Sequence, residues 1–454
     1  MSELANAGWA ARTSAVLDDA DRFTVLGRVT RVIGQVVEAS SLPVAVGDVC
    51  RIAPDDRTGI LAQVAGFHER GVLLMPLGEL EGIRPGDVVT PLGRGFFARA
   101  GEQMVGRVLD GLGRPLDDGR PLGHTRRMPL SADPPSPLTR PRIHAPLATG
   151  VRAIDGLLTL GRGQRIGIMA GSGVGKSVLL GMIARRSNAD INVIALLGER
   201  GREVREFLER DLGPEGLARS VVVVATSDQA PVVRATGAFV ATAIAEYFRD
   251  TGRDVLLMMD SVTRVAMAWR EIGLAVGEPP TTKGYPPSVF AQLPRLLERA
   301  GTAETGSITG MYTVLVEGDD FNEPVADSAR SILDGHIVLT RRLAHQKHFP
   351  AIDVLESVSR VRDEVLPRDR GEAANQFLRL EAAYRANEDL ISVGAYKAGA
   401  DPAVDTAIAM RPQMLAFLRQ QAEEGTTFEE THEWLGEHAR VTQQAMQRTA
   451  GGDA

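Results

Sequence analysis

The stretch that decides the fold is RIGIMAGSGVGKSVLLGMIARR, residues 165–186. Its first six residues form an apolar run of strand length, its middle is rich in glycine, and its last part has the length and composition of a helix. From Thr149 onward, further apolar strand-like runs alternate with helix-sized amphipathic segments. This alternation predicts an α/β core with a mostly parallel sheet and helices on both faces.

The glycine-rich part of this stretch, AGSGVGKS at 170–177, matches the relaxed form of a phosphate-binding loop, because Ala170 stands at the first glycine position. Such a loop turns its backbone amides toward phosphate oxygens, and the helix N-terminus adds positive potential. We expect Lys176 to reach the β- and γ-phosphates and Ser177 to offer its hydroxyl to Mg²⁺. The strand before the loop and the helix after it argue against a fortuitous glycine turn. The predicted nucleotide-binding residues in the loop are Gly171, Ser172, Gly173, Val174, Gly175, Lys176, Ser177 and Val178.

Two other strand-like runs end in carboxylates that bear on hydrolysis. DVLLMMD ends in Asp260, which is expected to hold Mg²⁺ through a water molecule, although an aspartate at a strand end is also common in turns. INVIALLGERGREVREF leads into Glu199 and Arg200. Glu199 can polarise an attacking water, and Arg200 can orient that water or support the γ-phosphate. The alternative is a surface ion pair at the start of a helix.

The remaining sequence divides by composition. Short β-rich runs separated by glycine and proline predict a small β-barrel, a proline-dense stretch predicts an extended linker, and the last part lacks strand-like runs. The predicted organisation is an N-terminal partner-binding or oligomerisation helix in 1–22, a β-barrel in 23–95, a linker in 96–148, a phosphate-loop domain in 149–370, and a C-terminal helical domain in 371–454.

Composition excludes several classes of protein. The net charge of −7 argues against a dedicated nucleic-acid binder, so we expect no nucleic-acid partner. The single cysteine, Cys50, suits a reducing compartment, and no signal peptide is visible at the N-terminus. The apolar runs are far shorter than the ~20 residues that span a bilayer. These features predict a soluble cytoplasmic protein.

Several blocks, in order, resemble the hexameric ATPase family of F- and V-type catalytic subunits, and more closely the ATPases of type III protein export. The resemblance extends from about residue 23 to the C-terminal helices. The blocks that carry it are AGSGVGKS at 170–177, GERGREVREF at 198–207, MMDSVTRVAMAWREI at 258–272, GEPPTTKGYPPSVFAQLPRLLERAG at 277–301, GSITGMYTVLVEGDD at 306–320, PVADSARSILDGHIVLTRRLA at 324–344 and HFPAIDVLESVSRV at 348–361.

The resemblance implies a P-loop (RecA-like) core and assigns roles to individual residues. Glu199 falls at the family's catalytic glutamate, and Arg360, in SVSRV, falls at the arginine finger that reaches the neighbouring subunit's nucleotide. Without the resemblance, Arg360 would be one of many surface arginines. Phe349, in HFPAID, falls where related catalytic subunits place an aromatic ring against adenine. Ordinary core packing at a strand end is the alternative for Phe349.

The resemblance also implies the biological setting. It implies a homohexamer that hydrolyses ATP with Mg²⁺, associates peripherally with an inner-membrane export apparatus, and works with a central stalk protein, an export gate, export chaperones and exported substrates. A stator-like regulatory protein is the expected partner of the N-terminal helix, whose apolar Trp9, Val16 and Leu17 need a groove or the protein's own barrel to cover them.

Other members of the wider family remain alternatives. A rotary ATP synthase catalytic subunit is disfavoured because the C-terminal part has only scattered acids, around Glu423, Glu424, Glu429 and Glu430. A Rho-like RNA translocase is disfavoured because the barrel region lacks a basic-aromatic platform for single strands. Within protein export, the phrase PVADSAR at 324–330 favours a flagellar ATPase over an injectisome ATPase.

Overall fold

The computed structural model describes residues 25–53, 59–69, 71–93, 95–117, 121–316 and 323–450, with the side chains of the last helix described to residue 446. The helix predicted within residues 1–22 lies outside these ranges. The chain divides into two compact units, of which the first ends at Phe96 and includes Ala275–Glu278. The second unit contains the rest of the chain. Within the described residues no helix is long and apolar enough to cross a membrane.

The first unit is a closed six-stranded antiparallel barrel, with the strand order β1-β2-β5-β4-β3-β6. Its strands are β1 Gly27–Ile33, β2 Val36–Ser40, β3 Val49–Ala53, β4 Ile60–His68, β5 Gly71–Pro76 and β6 Val88–Pro91. Small aliphatic side chains and Cys50 fill the interior, with Val37, Ile52 and Leu74 fully buried. The predicted barrel is therefore confirmed. Closure pairs every strand on both sides and leaves no open sheet edge.

The second unit is built on a nine-stranded, mostly parallel sheet with the order β19-β18-β12-β17-β15-β13-β14-β8, to which β16 adds by pairing with β17. Its strands are β8 Val108–Asp110, β12 Arg165–Ala170, β13 Ile191–Leu197, β14 Ser220–Ala225, β15 Asp254–Asp260, β16 Gly301–Ala303, β17 Gly306–Leu315, β18 Gly335–Leu339 and β19 Ile352–Ser359. Every residue of β13 and β14 is buried. Successive side chains of a strand point to opposite faces, so the sheet is covered on both faces, as predicted.

Helices connect these strands and follow the sheet. They are α1 Lys176–Arg186, α2 Gly201–Glu206, α3 Gly213–Ala218, α4 Pro231–Asp250, α5 Val262–Ala275, α6 Pro287–Leu297, α7 Pro324–Ile332, α8 Arg341–His345, α9 Arg362–Val365, α10 Arg368–Ser392, α11 Pro402–Leu418 and α12 Phe428–Ala450. Short π-helical turns at Ile154–Leu158 and Phe207–Leu212 and 3₁₀ turns at Glu102–Met104 and Thr282–Gly284 complete the set.

The segment predicted as a linker, 96–148, requires a correction. It carries the two-stranded ribbon of β7 Phe97–Ala100 and β9 Arg126–Pro129, the short strand β10 Pro146–Leu147 paired with β11 Leu160–Gly161, and β8, which pairs in parallel with β14. Proline density indicated an extended chain, and the chain is extended here. The partner strand lies within the segment for β7 and β9 and outside it for β8 and β10, and in neither case is it the neighbouring stretch of chain that a local composition signal describes.

The C-terminal helices α10, α11 and α12 belong to the same compact unit as the sheet. Phe377, Phe417 and Trp434 pack together, with Phe417 and Trp434 stacked at 4.6 Å between ring centroids. The guanidinium of Arg152 donates to the carbonyls of Phe417, Ala416 and Arg419 at the end of α11. A cation at a helix C-terminus satisfies the last carbonyls and the helix dipole, so this contact fixes α11 to the start of the phosphate-loop domain.

Candidate nucleotide-hydrolysis site

The candidate site lies where five neighbouring parallel strands end. In an open α/β sheet, ligands bind outside the carboxyl ends of the strands, close to the point where strand order reverses. The neighbours β18, β12, β17, β15 and β13 place their carboxyl ends along one edge of the sheet. The polar residues that this edge collects are Thr340 and Arg341 after β18, the phosphate loop after β12, Thr313 within β17, Asp260 at the end of β15, and Glu199 after β13.

The phosphate loop connects β12 to α1 as the sequence predicted. Gly173 and Gly175 have φ values of 78° and 87°, a conformation that side chains other than glycine rarely adopt. Lys176 is the first residue of α1, and Ser177 follows it. Val174 is buried, whereas Ser172 and Gly173 are exposed. The loop therefore presents its tip to solvent at the N-terminus of a helix, the arrangement that binds anions.

The structure brings Lys176, Asp260 and Glu199 together, although they are far apart in the sequence. Lys176 Nζ lies 2.5 Å from Asp260 Oδ1 and 3.6 Å from Glu199 Oε1. Asp260 is 3% exposed and also accepts a 2.7 Å hydrogen bond from the hydroxyl of Thr313. Glu199 is only 9% exposed. A surface ion pair, the alternative for Glu199, does not agree with this burial.

The surroundings of Lys176 and Glu199 raise the pKa of both side chains. Burial disfavours the charged form of Lys176, but the negative charges of Asp260 and Glu199 outweigh it and raise the pKa of Lys176. The pKa of Glu199 is raised by burial and then by the charge of Asp260, against the opposing effects of Lys176 and Arg264. A buried carboxylate with a raised pKa has the properties of a general base.

Sequence reasoning missed Arg264 and Thr313 as members of this site. Arg264 Nε lies 3.2 Å from Glu199 Oε1, and its side chain crosses Gly198, where a β-carbon would lie 2.8 Å from Arg264 Cδ. Gly198 has a φ of 75°, so this position requires glycine for two reasons. The signal available in the sequence was the position of Arg264 in the first turn of α5, four residues after Asp260.

The side chain of Arg200 forms no ion pair with Glu199 or Asp260; it pairs with Glu203, whose carboxyl group shares a hydrogen bond with Glu199. The Arg200 side chain is largely exposed, and Nη1 lies 3.5 Å from Glu203 Oε1. The structure therefore separates the two neighbours that the sequence paired: Glu199 points into the site, and Arg200 forms a surface pair with Glu203. A role for Arg200 at the γ-phosphate stays a prediction.

Phe349 lies against the phosphate loop. Its ring carbons are 3.5 Å from the position that a β-carbon on Gly175 would take, and 41% of its surface is exposed. Core packing, the alternative for Phe349, does not agree with this exposure. The carbonyl of Phe349 accepts a 2.9 Å hydrogen bond from the amide of Gln420, which holds this segment in place. Contact with adenine stays a prediction that this position supports.

Arg360 lies at the opposite end of the parallel strands, next to the amino end of β12. It follows β19, which runs antiparallel to β18, and its amide donates to the carbonyl of Asp334. The Asp334 carboxylate binds Arg165, the first residue of β12. The phosphate loop begins after the last residue of that strand, and six residues of strand span about 17 Å between their first and last Cα atoms. Within one subunit, the structure does not bring Arg360 to Lys176.

The residues present fit a Mg²⁺–nucleotide complex. The described part of the chain contains no group of three or more His, Cys, Asp or Glu side chains that could hold a metal ion. Mg²⁺ usually needs no such cage, because it is held by one or two carboxylates, substrate phosphates and water. The Ser177 hydroxyl at the start of α1 and the buried Asp260 carboxylate provide oxygen donors of that kind.

Comparison with known protein families gives three matches along the chain. Residues 29–93 match the sequence model described as "ATP synthase alpha/beta family, beta-barrel domain". Residues 150–359 match the nucleotide-binding domain of the same family. Residues 366–437 match "T3SS EscN ATPase C-terminal domain". The three matches follow one another along the chain from residue 29 to residue 437.

Curated relatives and solved structures agree with these matches. The chain is 54% identical to the "Flagellum-specific ATP synthase" of Bacillus subtilis, over 90% of this chain and 94% of the relative. It is 51% identical to the "Type 3 secretion system ATPase" of Xanthomonas euvesicatoria, over 90% and 93%. The assembled ATPase EscN from the enteropathogenic E. coli type III secretion system is 47% identical, with a TM-score of 0.86 over 91% of this chain and all of EscN.

Proposed function

The chain belongs to the ATP synthase alpha/beta family, in the group that contains flagellum-specific ATP synthases and type 3 secretion system ATPases, and we propose that it works as a homohexameric ring that uses ATP hydrolysis to unfold or energise substrates for flagellar protein export. The activity that follows from the family is ATP hydrolysis. The observation that carries the proposal is the convergence of Lys176, Glu199 and Asp260 at the carboxyl edge of the sheet, beside the phosphate loop.

The residues of the site divide the reaction between them. The loop amides and Lys176 bind the phosphates, and a triphosphate competes with Asp260 and Glu199 for the Lys176 ammonium. Glu199, with its raised pKa, accepts a proton from the attacking water or orders that water by its charge. Mg²⁺, held by Ser177 and through water by Asp260, would supply charge neutralisation at the phosphates.

Arg360 completes the site of a neighbouring subunit in this proposal. Its position at the far end of the parallel strands of its own subunit supports a role between subunits, because a side chain there can face an adjoining copy. An arginine finger accelerates hydrolysis by roughly 10³ to 10⁵ in well-studied NTPases. The assembled state of EscN supports a ring for this chain, and EscN has also been solved in complex with its central stalk, EscO. A central stalk protein is therefore a proposed partner.

The remaining partners of the proposal follow from the export function. They are a stator-like regulatory protein that binds residues 1–22, the membrane export gate, and export chaperones with their substrates. We place the ring in the cytoplasm, peripherally associated with the inner-membrane export apparatus. Relatives from flagellar and injectisome systems have similar identities to this chain, so the flagellar choice depends on the phrase PVADSAR at 324–330.

An ATPase assay tests the enzymatic part of the proposal. The purified chain should release phosphate from ATP in a Mg²⁺-dependent reaction, and Lys176→Ala should abolish that release. Lys397→Ala is the matched control, because Lys397 is an exposed lysine in the loop between α10 and α11 and forms no ion pair within the described residues. Loss of activity in both variants, or in neither, would contradict the assigned role of Lys176.

Gene deletion in the source bacterium tests the export setting. Loss of motility and of filament-protein secretion, restored by the wild-type gene and not by the Lys176→Ala gene, is the expected result. Full motility with loss of a different class of secreted protein would favour an injectisome ATPase instead.

A further inference from the structure

A second cationic side chain touches the phosphate loop, at the end opposite to Lys176. A β-carbon on Gly171 would lie 3.1 Å from Arg341 Nε and 3.2 Å from Arg341 Nη2. The guanidinium therefore packs directly on the first glycine of the loop. Arg341 was not among the residues singled out from the sequence.

Strand order explains why Arg341 reaches the loop. β18 runs parallel to β12 and pairs Leu339 with Ala170, the last residues of the two strands. The two segments then leave the sheet side by side at Thr340 and Gly171. Thr340 is held by a 3.0 Å hydrogen bond from its amide to the carbonyl of Ala351, and its hydroxyl caps α8 by accepting from the amide of Leu343. Arg341 is thus fixed one residue beyond the sheet edge.

Arg341 differs from the other cations in the site in whether a carboxylate lies against it. Lys176 contacts two carboxylates, and Arg264 contacts Glu199. In the described part of the chain, Arg341 has no hydrogen-bond or ion-pair partner, and it is only half-buried. Arg342, the next residue, points elsewhere and pairs with Asp353 and Glu388. A half-buried guanidinium without a counter-ion favours an anion close to it.

We propose that Arg341 is a positioning residue for nucleotide phosphates: its guanidinium, packed on Gly171, fixes the start of the phosphate loop and provides positive charge that strengthens binding in proportion to the number of phosphates. This inference rests on the proposed ATPase function and concerns its site. A guanidinium is always charged and presents several donors in one plane, so the interaction needs no protonation step.

Nucleotide affinity, measured by titration calorimetry for a non-hydrolysable ATP analogue, ADP and AMP, tests the inference. Arg341→Gln should weaken binding of the ATP analogue by about tenfold, ADP by less, and AMP by under about twofold. Arg341→Lys keeps the charge and should stay within about threefold of the wild type for all three. Arg342→Gln, the matched control, removes the same charge from the same helix and should change no affinity by more than about twofold.

A second measurement addresses the packing contact and remains available if Arg341→Gln folds poorly. Gly171→Ala should displace the guanidinium, because its β-carbon would lie 3.1 Å from Nε, and should weaken binding with the same dependence on phosphate number. In the Arg341→Gln background, Gly171→Ala should cost less affinity than in the wild type, because the two changes disturb one contact.

Three other outcomes would contradict the proposed role of Arg341. Wild-type affinities in Arg341→Gln overturn the role of Arg341 while leaving the ATPase proposal intact. Equal weakening of all three nucleotides in both Arg341→Gln and Arg341→Lys, with a lower unfolding temperature of the nucleotide-free protein, indicates a brace of the fold and also overturns it. A wild-type chain that binds no nucleotide refutes the proposed function, and this inference with it.

Discussion

The separation of Arg360 from its own phosphate loop makes a mixing experiment decisive. Arg360→Ala lacks the finger and keeps its loop, whereas Lys176→Ala lacks the loop lysine and keeps its finger. Within one subunit the two functions lie at opposite ends of the parallel strands, about 17 Å apart along β12. An arginine side chain cannot cross that distance. In a mixed ring, however, an intact loop of one protein can face an intact finger of the other.

The expected recovery can be calculated from random assembly. In a one-to-one mixture, about half of the loops and half of the fingers are intact, so about a quarter of the interfaces contain both. If the interfaces work independently, the mixture should reach about a quarter of wild-type turnover, and less if hydrolysis requires neighbouring active sites. Each variant alone should fall by roughly 10³ or more, which makes this recovery easy to detect.

Steady-state phosphate release is the assay, after light scattering or native mass spectrometry shows that the two variants assemble together. The matched control replaces Lys176→Ala by the double variant Lys176→Ala/Arg360→Ala, which offers no intact finger and should give no recovery. Wild-type turnover per subunit should also rise with protein concentration, because a site shared between subunits needs assembly. Mixed rings without recovery would falsify the role of Arg360 between subunits.

The site, the barrel and the C-terminal helices give three further predictions. Glu199→Gln should retain ATP affinity and lose at least about a hundredfold in turnover, which corresponds to about 2.7 kcal/mol in the activation free energy. The reason is that an amide has the size of the carboxylate without its basicity or charge. Unchanged turnover in a phosphate-release assay would leave the base unassigned. Cys50 is fully buried, and burial together with the charge of Asp48 raises the pKa of its thiol to about 11. Mass spectrometry should therefore find Cys50 unmodified by iodoacetamide in the native protein and modified after unfolding. Cys50→Ser should keep the ATPase turnover within about twofold of the wild type. Burial lowers the pKa of His432 and of His438 to about 4, so the unfolded chain binds more protons below pH 6.5 and the free energy of unfolding should fall as pH drops from 6.5 toward 4. Between pH 7 and pH 5 the loss should be about 2 kcal/mol for each histidine, measured by urea unfolding; a variant with His438 replaced by Phe should show a shallower dependence, and an identical dependence would contradict the assignment.

Short-range patterns determined the parts of this protein that depend on neighbouring residues. The strand, glycine-rich loop and helix of 165–186 form one continuous unit, so its composition alone predicted the loop and the position of Lys176. Asp260 was predictable because it ends an apolar strand, and the carboxyl ends of parallel strands are where ligands bind. The barrel was predictable because its strands are separated by short turns.

Only the tertiary structure decided which residues meet across the sheet. Arg341 contacts Gly171 because β18 lies next to β12, and that order is set by packing over the whole sheet. The proline-dense segment 96–148 provided the edge strand β8 because a partner from β14 was available. Arg360 was assigned to the neighbouring nucleotide by resemblance, and the antiparallel direction of β19 explains why its own loop is out of reach. Propensity and periodicity describe local backbone preferences, whereas strand order and direction follow from burying many distant side chains at once.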